Sequence, residues 1–128
     1  MSATTVLPVG FASADLFRWL ETATPDELDE LPFGLVAMTH DGIVERYNLA
    51  EARLSGLTPD RVIGRNFFTA VAPCTNNFMV AYRFESEPEL DAVVDYVFTF
   101  RLAPMKVRLR LLQHLAARHM YLVVEKRD

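Results

Sequence analysis

The sequence has little of what staples, bridges or anchors a chain. Cysteine occurs once among its 128 residues, as Cys74, so no internal disulfide can form. The histidines His40, His114 and His119 stand at no familiar ligand spacing from that thiol, which leaves no zinc motif. Basic residues are also short: 13 Lys and Arg against 17 Asp and Glu give a formal net charge of −4. With no basic run to neutralise phosphates, nucleic-acid binding is excluded. No apolar stretch approaches the roughly 20 residues that span a bilayer, so no membrane insertion is expected. Met1 to Gly10 lacks the basic flank and apolar block of a signal peptide, and the expected location is the cytoplasm. Repeats, low-complexity segments and long linkers are missing too, which leaves one domain over residues 1–128.

What is present suits a compact core. Hydrophobic residues make up 51% and charged residues 23%. Residues 13–21 read as a short helix with Ser13 as cap and Leu16, Trp19 and Leu20 on one face. Thr24-Pro25-Asp26-Glu27 is a capping box with proline at the first helical position. This segment, residues 1–30, has few apolar residues of its own and is expected to pack on the core, residues 31–128, as a lid. Phe33 to Thr39 and Ile43 to Tyr47 read as a hairpin around Asp41-Gly42. Short helices follow over residues 48–55 and near Val62, then a brief apolar piece from Asn66 to Ala72 that Pro73-Cys74 breaks. Phe78 to Glu87 looks helical.

The last third alternates with period two. Val94, Tyr96, Phe98 and Phe100 share one face, as do Met105, Val107, Leu109 and Leu111, and Met120 to Glu125 supplies a final strand. Two strands, a run of short helices and three antiparallel strands predict an α+β domain. It would be one twisted sheet with helices on one face and a ligand pocket between them.

The middle of the chain is more specific. Gly64-Arg65-Asn66-Phe67-Phe68 followed by Val71-Ala72-Pro73-Cys74-Thr75 resembles the chromophore-attachment region of the photoactive yellow protein family. Phe33-Gly34, Tyr47-Asn48 with Ala50-Glu51, Ser55-Gly56, Tyr96 with Phe98, and Pro104 with Lys106-Val107 match in order. The resemblance implies a PAS fold, a five-stranded antiparallel sheet with short helices over a chromophore pocket. It further implies 4-hydroxycinnamic acid (p-coumaric acid) bound as a thioester on Cys74. Tyr47 and a protonated Glu51 would hydrogen-bond its phenolate, Ser55 would support the tyrosine, and Phe67, Val71 and Phe98 would wall the pocket. Two positions depart from the family: Leu57 stands where an arginine is usual, and Leu102 where a methionine lies over the chromophore.

Holding a phenolate near neutral pH takes about 3 pH units of stabilisation, and burial alone works against the anion. Two short bonds from acidic donors supply what burial removes. Light-driven trans–cis isomerisation would then draw the proton from Glu51, strand a carboxylate in an apolar interior and loosen the fold.

The same residues carry plainer readings. Asn48-Leu49-Ala50-Glu51 is a capping-box pattern, in which Glu51 is an ionised residue near a helix N-terminus. Tyr47 is then a core-edge aromatic, Ser55 a helix-end hydroxyl, and Phe67 and Val71 simple packing.

Three other functions compete. A flavin photosensor of this fold would carry Asn-Cys-Arg-Phe where Asn66-Phe67-Phe68 stands. A cysteine enzyme would need a histidine base beside Cys74, which nothing in the sequence supplies, so the chain reads as no enzyme. A dimerising PAS module would use the Phe11–Leu20 helix as its interface. The expected partners are the chromophore and a downstream signalling protein, and the expected state is a monomer or weak dimer.

Overall fold

The structure, a computed structural model, describes residues 9–99 and 104–127. Its centre is a five-stranded antiparallel sheet of order β2-β1-β5-β4-β3. The strands are β1 (Gly34–Met38), β2 (Val44–Tyr47), β3 (Glu89–Phe98), β4 (Met105–His114) and β5 (Met120–Lys126). β1 pairs with β2 around the Asp41-Gly42 turn, where Gly42 has φ of 87°, a region only glycine enters freely. The helices are α1 (Leu16–Thr22), α2 (Pro25–Asp29), α3 (Leu49–Ser55), α4 (Pro59–Val62) and α5 (Ala81–Ser86). Among the described residues no helix is long and apolar enough to cross a membrane.

Both faces of the sheet are covered. Alternation along β1 sends Val36 and Met38 to one side and Leu35 and Ala37 to the other. On the first side they join Leu109, Leu111, Leu122 and Val124 under α3 to α5, with Tyr47, Phe67, Phe98 and Val71 in the same core. On the second side Leu35, Ala37, Leu112, Tyr121 and Val123 pack against Phe11, Leu16, Leu20 and Leu28 of the N-terminal segment. The expectation of helices on one face is therefore corrected: α1 and α2 lie beneath the sheet and the other helices above it. The segment expected to pack as a lid thus lies, as far as it is described, on the face opposite α3 to α5. An all-apolar β1 can be buried in this way only if both of its sides are covered.

The N-terminal segment is fastened by polar contacts as well. Arg110, buried in β4, makes a bidentate pair with Asp91 at 2.9 Å for both bonds. It also donates to the carbonyls of Phe11 and Ser13 at 3.0 and 2.7 Å. Tyr121 donates to Glu21 of α1. Asn48 accepts from the amides of Leu35 and Glu51 and donates to the carbonyls of Leu28 and Phe33. One buried side chain thereby joins α2, β1 and the start of α3.

Local signals were read well where the partners are neighbours in sequence. The Thr24–Glu27 capping box is present in both directions, at 3.2 and 2.8 Å. Ser13 does not cap α1; its Oγ accepts from Gly10 in the preceding turn, and Asp15 holds the cap position. The helix expected from Phe78 begins only at Ala81, because Asn77 takes up the amides of Met79 and Val80 in a turn. β3 starts at Glu89, five residues before the apolar alternation at Val94. Phe100 and Leu102 lie outside the described residues.

Candidate functional site

The candidate site is built from three elements meeting above the sheet. β2 ends in Tyr47, and Asn48 then caps α3 by accepting from the Glu51 amide at 3.0 Å. Four residues apart, Glu51 and Ser55 share the face of α3 that turns inward, and both are buried. Gly56, with φ of 78°, ends the helix and returns the chain at Leu57.

The third element carries the thiol. Asn66 accepts from the amides of Phe68 and Thr69, and Phe67–Val71 then forms a π-helical turn, with Val71 and Ala72 donating to carbonyls five residues back. The wide turn places Phe67 and Val71 in the core. The 3₁₀ turn Pro73–Thr75 follows and leaves Cys74 half-buried. Its carbonyl accepts from the Tyr96 hydroxyl at 2.5 Å and from Asn77 at 3.1 Å, and Asn77 also donates to the Tyr96 oxygen.

A cavity of about 330 Å³ opens between these elements, lined by Ser55, Leu57, Val71, Ala72, Pro73, Cys74 and Thr99. Its size falls in the range of small-ligand sites, about 300–1,000 Å³. At its inner wall, Ser55 Oγ accepts from the Tyr47 hydroxyl at 2.7 Å and from the Leu57 amide at 3.1 Å. Cys74 and Ser55, the latter holding the Tyr47 hydroxyl, therefore line one space. Leu57 sits at the wall, half-buried against the core, with no side-chain donor.

Glu51 is the anomaly of this region. Its side chain is fully buried, and neither carboxyl oxygen has a hydrogen-bond partner among the described residues. The capping-box reading is thus half right: Asn48 takes the Glu51 amide, but the Glu51 carboxyl turns into the interior instead of back to Asn48. Loss of water lifts this carboxyl from the ordinary 4.5 to about 8, so it is neutral at pH 7. Tyr47 is pushed well above its ordinary value, by burial first and by the Glu51 charge second, against the opposing bond to Ser55. Both groups keep their protons.

Phe67 and Phe98 are almost fully buried in the same core, and Phe98 meets Tyr96 edge-to-face at 5.9 Å. The structure thus brings Cys74, Ser55, Leu57 and Val71 to one cavity, with Tyr47 behind Ser55 and Phe67 and Phe98 in the surrounding core. Leu102 lies outside the described residues. Sequence reasoning missed Asn77 and gave Tyr96 no role; an asparagine just before a helical stretch was the available signal. The histidines are engaged away from Cys74: His40 with Gln113 and Ala117, His114 with Glu89, and His119 with Glu45.

No family model matches the chain. Individual relatives do. The photoactive yellow protein of Rhodothalassium salexigens is 32% identical over 106 residues, which cover 80% of this chain and 85% of that one. That of Halochromatium salexigens is 35% identical over the same lengths. Among solved structures, the photoactive yellow protein domain from the sensor histidine kinase Ppr of Rhodospirillum centenum superposes with a TM-score of 0.78. It is 40% identical and covers 85% of this chain and 98% of that domain. A PAS domain of an HTR-like protein from Haloarcula marismortui, 13% identical with a TM-score of 0.65, shares the fold alone. With that sheet order, a single cysteine facing the cavity and relatives of this identity over four-fifths of its length, the chain belongs to the photoactive yellow protein family.

Proposed function

We propose that this protein is a blue-light photoreceptor that holds 4-hydroxycinnamate as a thioester on Cys74. The observation that carries the reading is Glu51, a fully buried neutral acid whose two oxygens have no partner among the described residues, one helical turn before Ser55, which lines the same small-ligand cavity as Cys74. An orphaned buried polar group of this kind costs free energy unless something outside the chain pairs with it. A phenolate oxygen is the partner its chemistry suits, since a neutral carboxyl donates its one proton in a short charge-assisted bond. The bound cinnamate would supply absorption of blue light and a trans–cis isomerisation about its double bond.

The remaining roles belong to the chain. Cys74, the thiol that lines the cavity, would hold the cinnamate; its proton would leave on acylation, so the attached sulfur would carry no charge into the apolar wall. Tyr47 offers a second acidic hydrogen. Its bond to Ser55 can reverse, because both hydroxyls donate as well as accept, and Ser55 then supports the tyrosine oxygen while Tyr47 turns to the ligand. Tyr96 and Asn77 fix the Cys74 carbonyl, which holds the attachment point still. Phe67, Val71 and Phe98 exclude water. Leu57 adds wall but no donor, and leaves the mouth less tightly closed than an arginine would.

After isomerisation Glu51 would pass its Oε proton to the phenolate oxygen and be left a carboxylate, in an interior that holds no cation beside it among the described residues. The resulting charge is the signal, because burial makes it expensive and rearrangement relieves it. The segment of α1 and α2, from Val9 to Glu30, would act as the releasable cover, and a separate or attached signalling protein would read the change.

The test is an absorption spectrum before and after addition of an activated 4-hydroxycinnamate, with intact mass. A blue band that bleaches in light, returns in the dark and fails to form in Cys74→Ala supports the reading. An unmodified Cys74 with no band overturns it and leaves a PAS sensor of another ligand.

A further inference from the structure

Gly34 is the third residue that β1 presents to the upper face of the sheet, in line with Val36 and Met38. Glycine in a strand interior weakens the strand and marks a close approach or a special backbone. The backbone is not the reason here: Gly42, Gly56 and Gly64 have positive φ, and Gly34 does not. Space is the reason. A Cβ placed on Gly34 collides with Oε1 of Glu51 and comes within 3.2 Å of both its Cβ and its Cδ. The three nearest atoms all belong to one side chain, so the glycine makes room for that acid and not for the backbone of α3.

We infer that Gly34 is a positioning residue for Glu51, its bare Cα forming the floor of the slot in which the carboxyl lies. The inference rests on the proposed role of Glu51 as proton donor. A carboxyl with no hydrogen bond among the described residues has packing to fix its direction. Remove the slot and the same acid, on the same helix, points elsewhere. Val36 of β1 and Val124 of β5, the strand partner of Gly34, are apolar and offer it no alternative bond. Tyr47, at the end of β2, is a titratable group that feels the charge of this carboxyl.

The experiment compares wild type, Gly34→Ala, Glu51→Asp and the double variant, first without chromophore and then loaded. In the unloaded protein the side-chain carboxyl of residue 51 is followed by carbon NMR through a pH titration, its signal identified by its loss in Glu51→Gln. Wild type is expected to titrate near pH 8. Gly34→Ala is expected to move that midpoint by at least about one pH unit, a tenfold change in proton affinity. In the loaded protein Gly34→Ala shifts the absorption band. The shorter acid clears the new Cβ, so alanine at 34 changes neither readout in the Glu51→Asp background. Equal effects of Gly34→Ala in both backgrounds, or none in either, overturn the inference. If Gly34→Ala does not fold, recovery of folding in the double variant supports it and continued failure overturns it. A wild type that forms no blue band sinks the photoreceptor reading alone, and the unloaded titration still decides the role of Gly34.

Discussion

Replacing Glu51 by glutamine in the unloaded protein isolates what it costs to bury that carboxyl. Its value rises from 4.5 in the open chain to about 8 in the fold, with desolvation as the cause. Below pH 4.5 both states hold the proton, and the group contributes no pH dependence. Between 4.5 and 8 the unfolded chain has released its proton while the native state keeps it, so the native state binds more protons. Stability therefore falls as pH rises, by about 1.4 kcal/mol per pH unit at most. At pH 7 the accumulated loss is roughly 3 kcal/mol, and above pH 8 it levels off. Glutamine does not titrate. Whatever constant offset the amide introduces, the gap between variant and wild type should widen by that roughly 3 kcal/mol from pH 4.5 to 7. With a urea dependence of about 1–3 kcal/mol per molar for a domain of this size, the midpoints separate by a further 1–3 M or so. Urea titrations at half-unit steps from pH 4.5 to 9 measure it. Parallel curves for the two proteins would refute the claim that this acid is neutral in the fold.

Leu57→Arg in the loaded protein is expected to shift the blue band or slow the dark recovery, because it closes the cavity mouth with a donor; an unchanged spectrum and rate count against that. Asn48→Ala should cost about 2–4 kcal/mol by urea unfolding, more than a plain cap, since it leaves the Leu35 amide and the Leu28 and Phe33 carbonyls unpaired. A loss below 1 kcal/mol would show that water or movement replaces these bonds. Arg110→Met should cost about 1–3 kcal/mol, reduced from a fully buried pair because the Asp91 side chain is 57% exposed. Amide exchange should accelerate around Phe11 to Leu20 more than in β5; uniform acceleration would contradict a local tether.

What could be read from the sequence was what is decided locally. The Thr24–Glu27 capping box needs four consecutive residues, and it forms as written. The same pattern at Asn48–Glu51 failed in one half, because the direction of the Glu51 side chain is decided across the fold by the space over Gly34. The first half of β3 was hidden because Glu89 and Asp91 look like loop residues until His114 is seen opposite Glu89, and Arg110 diagonal to Asp91, on β4. Arg110 itself stands at an outward position by period two, and only the N-terminal segment covering that face makes it buried. The continuous apolar run of β1 did announce two covered faces and was read as one. Tyr47, Glu51, Ser55 and Cys74 stood out through family resemblance, not spacing, since β2, α3 and a separate turn supply them. Gly34 carried its own signal, a glycine that opens an apolar strand without the positive φ that a turn would ask of it.

The placement of α1 and α2 beneath the sheet makes the molecule a three-layer stack whose bottom layer is thin. Leu35, Ala37, Leu112, Tyr121 and Val123 form a continuous greasy underside shielded by little more than two short helices and the chain leading into them. Any event that peels this layer away changes the surface chemistry of the whole particle, turning a polar exterior into an adhesive one in a single step. The resulting behaviour is set by concentration and by company: alone and dilute, the particle recloses, whereas beside a second apolar face it sticks.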